Sequence, residues 1–142
     1  MISFVCGQLC SGKTAYSKAL ASISSGVYIE VGDIVRSLLA TDNRQVLQDS
    51  QTLDQTIVSK LKDEVLNNQY SDLIISGVRQ KSILESFKDA TLLWIECPKS
   101  IRQDRYIKRA RTGDKQTFEE AEAGDINLGI LEVKQYILER NE

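Results

Sequence analysis

Residues 5–14 read VCGQLCSGKT, in which Gly7 and Gly12 are separated by four residues and followed at once by Lys13 and Thr14. The apolar run ISFVC (2–6) lies just upstream and an amphipathic stretch (13–24) just downstream, so the motif sits at a strand-to-helix turn. That context gives it a physical meaning. Glycine at 7 and 12 lets the backbone curl until successive N–H groups face one phosphate chain. The helix opening at Lys13 adds the partial positive charge of its N-terminus. Lys13 is then placed to reach the β- and γ-phosphates of a nucleotide, and the Thr14 hydroxyl to hold Mg²⁺. Gly7, Gln8, Leu9, Cys10, Ser11, Gly12, Lys13 and Thr14 are thus the expected nucleotide-binding segment, with Thr14 the expected metal ligand. Cys10 reads as a small residue tolerated in the loop, because no base accompanies it to make a nucleophile.

Outward from the loop, short β-rich runs alternate with amphipathic segments along the whole chain. VYIEV (27–31), DLIIS (72–76) and TLLWIE (91–96) read as further buried strands, and YILE (136–139) as a weaker fifth. Residues 13–24, 33–40, 52–68, 79–88, 98–111 and 117–134 read as helices, with Pro98 suited to a first helical turn. Such alternation predicts an α/β three-layer sandwich of the P-loop NTPase type, with a parallel sheet of five strands and helices on both faces. No repeat, low-complexity tract or linker divides it, so residues 1–142 are expected to form a single domain.

Composition narrows the chemistry. The 142 residues are 42% hydrophobic and 27% charged, ordinary for a globular protein. No apolar run approaches the ~20 residues of a membrane helix, and MISFVCG lacks a basic leader. A cytoplasmic location is the expectation, with no membrane partner. Cys6, Cys10 and Cys97 are odd in number and form no Cys-x-x-Cys pair, which suits free thiols. Histidine is absent, which removes Ser-His-Asp and Cys-His catalysis together with histidine metal sites. Chemistry must rest on Lys, Arg, Asp, Glu, hydroxyls and backbone amides. A net charge of −2 gives no global attraction to nucleic acid.

In open α/β sheets, ligands bind beyond the carboxyl ends of the strands. There the second strand continues into EVGDIVR, the third into SGVRQ and the fourth into ECPKS. Asp33 reads both as an N-cap for the helix carrying Ile34, Val35, Leu38 and Leu39 and as a carboxylate near Mg²⁺ or an attacking hydroxyl. Glu30 competes for that second role, and strand alternation puts it on the same face as Tyr28. Arg79, three residues past Ser76, reads as a clamp on an acceptor phosphate or as a solvent-facing arginine. In 98–111, Lys99, Arg102, Arg105, Lys108, Arg109 and Arg111 oppose only Asp104. Arg102, Arg105 and Arg109 fall within a ~60° stripe of one helical face. The acidic segment 114–125 follows. The pair reads either as two mutually attracting solvated helices or as a basic lid (about 102–125), hinged near Thr112-Gly113, that closes over the transferring phosphate.

Taken in order, GQLCSGKT, GDIVR, SGVR and ECPKSIRQDRYIKR resemble the nucleoside monophosphate kinase group of P-loop proteins. The chain is also similar to dephospho-coenzyme A kinases and small virus-encoded kinases. The resemblance implies an ATP- and Mg²⁺-dependent kinase in which Lys13 and Thr14 bind phosphate and metal. It implies Asp33, Arg36 and Arg79 at the acceptor, and Arg105 and Arg109 as lid arginines. Transfer to a nucleoside monophosphate or similar small acceptor follows. Hydroxymethylated bases in DNA are the alternative substrate, and a non-catalytic nucleotide-binding module is the third reading. Two departures stand out. Ser76 occupies the place where adenylate kinases carry aspartate, and the acceptor region (about 40–70) is short, with the single arginine Arg44 and a core stripe of Leu53, Ile57, Leu61 and Val65.

Overall fold

The computed structural model describes residues 1–39, 54–109 and 116–142. Strand β1 (Ile2–Gly7) runs parallel to β3 (Leu73–Ser76) on one side and to β4 (Thr91–Ile95) on the other. Strand β2 (Val27–Glu30) completes the order β2-β3-β1-β4, again in parallel. The two-residue period of a strand then sorts the side chains. Phe4, Cys6, Leu73, Ile75 and Leu92 enter one core, whereas Val5 and Ile74 enter a smaller one on the opposite face. The larger core is covered by α2 (Val31–Leu39), α3 (Asp54–Asn67), α4 (Lys81–Glu85) and α7 (Ile130–Arg140). Helix α1 (Lys13–Ser24) covers the smaller through Leu20 and Ala21. Both faces are thus buried, and the strands read as unbroken apolar runs for that reason. Each fully buried Ile, Leu or Phe contributes about 1.5–3 kcal/mol. The result is the three-layer α/β sandwich expected of a P-loop protein.

A third, smaller cluster joins Leu9 of the phosphate loop to Tyr106 of α5 (Lys99–Arg109) and to Phe118 and Ala121 of α6 (Phe118–Leu128). The two helices form a cap beside the loop. Helix α6 opens with Thr117 and Glu120 satisfying one another's backbone N–H groups at 3.2 and 3.0 Å.

Three expectations are corrected. YILE (136–139) lies inside α7, and the sheet has four strands among the described residues. Ile130, Val133 and Ile137 recur with helical spacing and are buried, a period too long for a four-residue window to reveal. The helix expected over 117–134 is two, because Gly129 takes φ 114° between α6 and α7, a left-handed conformation that ends the first helix. Asp33 is not a cap. Helix α2 begins at Val31, so Asp33 lies in its first turn with its side chain 72% exposed. Leu53, Arg44, Arg111 and the hinge at Thr112-Gly113 lie outside the described residues, as does the Leu39 side chain.

Candidate active site

At the carboxyl ends of the strands lies a cleft of about 440 Å³. The described residues lining it include six cations, Lys13, Lys18, Arg36, Arg79, Arg105 and Arg109, and one carboxylate, Glu30. The backbone of the phosphate loop forms its floor. Ser11 N–H donates to the Gln8 carbonyl at 3.0 Å, closing the turn, and Gly12 enters α1 with φ 97°. Cys10 holds φ 61°, a left-handed geometry that costs a residue with a Cβ roughly 1–2 kcal/mol. At Gly7 the constraint is space. A Cβ there would lie 2.3 Å from Ser11 Oγ and 2.9 Å from the Ile95 carbonyl oxygen. Lys13 Nζ curls back along the loop to 3.5 Å from the Gln8 carbonyl.

The cysteines divide by position. Burial pushes the Cys6 thiol up to about 12, and the nearby Lys13 charge offsets this only in part. Cys10, in the cleft lining, and Cys97, beside Arg105, are part-exposed. Iodoacetamide at pH 8 is therefore expected to add two labels to the native chain, on Cys10 and Cys97 but not Cys6. Mass spectrometry reads the count directly, and rapid labelling of Cys6 in folded protein would contradict the placement.

The arginines read together from sequence part company. Arg105 lies over the loop, donating to the Cys10 carbonyl at 3.2 Å and contacting Cys97 Sγ at 3.5 Å. Arg109 stacks its guanidinium 4.9 Å from the centre of the Tyr106 ring. Arg102 turns inward. It donates to the carbonyls of Cys97 (3.1 Å) and Leu9 (3.3 Å) and pairs with Glu122 of α6 (2.5 Å). It is a buried strut between cap and loop, and no part of the cleft. Arg79 is not solvent-facing either. Its Nε lies 3.1 Å from Asp125 of α6, and the two side chains are 15% and 4% exposed. Arg36 extends beside Gly32 and pairs with Asp33 at the cleft rim.

Of the two competing carboxylates, the fold places Glu30 in the cleft and leaves Asp33 on the rim. Glu30 Oε2 accepts from Tyr28 Oη and from Ser76 Oγ, each at 2.8 Å, and its Oε1 accepts from Gly32 N–H at 3.2 Å. The Tyr28 phenol oxygen also lies 3.1 Å from Ser76 Oγ, and Thr14 lines the same cleft. Burial, reinforced by the charge of Glu30, raises the pKa of that phenol, so Tyr28 remains a donor. Thr14 and Glu30 are an all-oxygen donor set of the kind that suits Mg²⁺. Beside them the buried Ser11 Oγ has no hydrogen-bond partner, leaving a polar group for a ligand to satisfy. The residues fit the metal.

Sequence reasoning passed over Lys18, whose Nζ sits 5.9 Å from the centre of the Tyr28 ring, and Asp125. Nothing local marks Asp125 as the partner of an arginine 46 positions earlier.

Among the described residues no helix is long and apolar enough to cross a membrane. Residues 4–127 match the AAA domain family. The chain is 27% identical over 143 aligned residues to the cytidylate kinase of Haloarcula marismortui, spanning 96% of this chain and 70% of that one. Among solved structures it resembles the shikimate kinase of Acinetobacter baumannii in complex with shikimate, at TM-score 0.67 and 13% identity, covering 98% and 78% of the two chains. The shikimate kinase of Aquifex aeolicus superposes at TM-score 0.56 with 16% identity, covering 90% and 81%. At such identities the structural likenesses establish a shared fold.

Proposed function

The chain belongs to the AAA domain family, and from that premise we propose that it is an ATP- and Mg²⁺-dependent kinase acting on a nucleoside monophosphate or a similar small acceptor. One observation carries the reading: a single cleft gathers the phosphate loop with Lys13 and Thr14, the carboxylate Glu30, and the arginines 36, 79, 105 and 109. Phosphoryl transfer has exactly these needs in outline: positioning of two substrates and neutralisation of charge, with no covalent intermediate. Lys13 and the loop N–H groups hold the donor phosphates. Arg105, already above the loop, and Arg109 stabilise the charge of the transferring group. Arg36 and Arg79 bind the anionic acceptor, each exchanging its present carboxylate for a phosphate. Magnesium supplies neutralisation of the β- and γ-phosphate charge, and Thr14 and Glu30 would hold it. Helices α5 and α6 serve as a lid that excludes water. The cytidylate kinase relative supports a phosphate-bearing acceptor.

Transfer to hydroxymethylated bases in DNA draws no support from α5. Arg102 is buried, and Lys108 lies 3.0 Å from Asp104, so the helix presents no continuous basic face to a DNA backbone.

The test is transfer of labelled γ-phosphate from ATP to a panel of ribo- and deoxynucleoside monophosphates, with shikimate and hydroxymethyl-base DNA alongside. Label in a monophosphate is the expected result. Arg79→Ala should then raise the acceptor KM at least tenfold while changing the ATP KM by less than threefold. Label in DNA alone, or ATP bound with transfer to nothing, would overturn the assignment. The second of those outcomes would point to a nucleotide-binding module.

A further inference from the structure

We propose that Glu30 is the carboxylate that positions the magnesium shell, an acidic group carried on β2 although the adjacent end of β3 is where it would be sought. The inference rests on the kinase reading and deepens it, giving the structural reason that the carboxylate stands on β2. Glu30 and Ser76 are register partners, the last paired rung between β2 and β3. Ser76 is fully buried and too short to reach the cleft, and it spends its hydroxyl on Glu30. The next residue, Gly77, takes φ 92°, and a Cβ there would lie 2.0 Å from Glu30 Oε1. A side chain at that position would have to displace the carboxylate, and the left-handed backbone there strains any residue but glycine. The tip of β3 is thus vacated, and a carboxylate from the neighbouring strand lies across it.

Three donors, Tyr28, Ser76 and Gly32 N–H, fix the orientation of that carboxylate. All are neutral, and among the described residues no cation forms an ion pair with Glu30 in a cleft otherwise lined by cations. A charged, oriented and part-exposed oxygen pair that lines one cleft with Thr14 is built to receive a hydrated divalent cation. Asp33, the other candidate, already serves Arg36 at the rim.

The test moves the charge back across the rung. Calorimetry measures ATP binding to the full chain with and without Mg²⁺, and the ratio gives the affinity of bound ATP for the metal relative to that of free ATP. Glu30→Ser is expected to weaken that affinity ten- to a hundredfold, with metal-free ATP binding retained through Lys13. Adding Ser76→Asp, so that serine and carboxylate exchange strands, should recover most of the loss. Glu30→Gln preserves size and polarity and should behave as Glu30→Ser, which guards against misfolding of the serine variant; thermal melting monitors all three. Metal affinity within about twofold of the parent in a folded Glu30→Gln chain overturns the proposal, as does a folded exchange variant with no recovery. Failure of Mg²⁺ to alter ATP binding in the parent chain would instead overturn the kinase reading, and this proposal with it.

Discussion

Arg102→Ala is expected to destabilise the protein by about 3–5 kcal/mol, the range for breaking one side of a buried ion pair. The side chain is 4% exposed and Glu122 is 11% exposed. Removing the guanidinium leaves the Glu122 carboxylate in a closed pocket and takes a donor from each of two carbonyls, those of Leu9 and Cys97. Lys99, with Nζ 3.6 Å from the other Glu122 oxygen, lies at the surface and offsets little of this. Urea unfolding measures the loss. Pairing the change with Glu122→Leu should return a large part of it, since removing both charges is far less costly than orphaning one. A loss below about 1 kcal/mol for the single variant would show that Arg102 is not the strut described.

Lys13→Ala is expected to lower the rate of phosphoryl transfer about a thousandfold, the scale of losing one preorganised charge at a reacting phosphate. The ammonium lies along the loop, anchored at Gln8, and supports no core packing. Melting temperature should therefore change little, which separates this variant from Arg102→Ala. Single-turnover transfer from labelled ATP reads the chemical step itself. A fall of less than tenfold would mean that Lys13 does not contact the phosphates in transfer.

What the sequence made legible was whatever depends on neighbours along the chain. The phosphate loop is a spacing of eight residues, and its strand and helix flank it directly. The four strands of the sheet announced themselves because both faces are buried and each is an apolar run. What failed depended on distance or on window length. Arg102, Arg105 and Arg109 share one residue type and one helical stripe, yet Arg102 is buried because Glu122, on another helix, waits for it. The choice between Glu30 and Asp33 turned on where α2 begins. Two residues' difference converted a cap into an exposed rim group and left Glu30 at the strand end. YILE is β-like over four residues and helical over eleven.

The joint at Gly129 has a consequence for how the molecule opens. On one side, α7 is locked to the sheet through Ile130, Val133 and Ile137, within the largest core. On the other, α6 rests on the small cluster of Leu9, Tyr106, Phe118 and Ala121 and on the ion pairs of Glu122 with Arg102 and of Asp125 with Arg79. A residue at φ 114° between them interrupts the helical hydrogen-bond ladder, so unwinding of one helix need not propagate into the other. The amide protons in the buried middle of α7 are expected to exchange only as the sheet opens, and those of α6 as the cap opens. Two tiers of hydrogen exchange are therefore written into adjacent helices, and the looser tier is the one resting against the nucleotide loop.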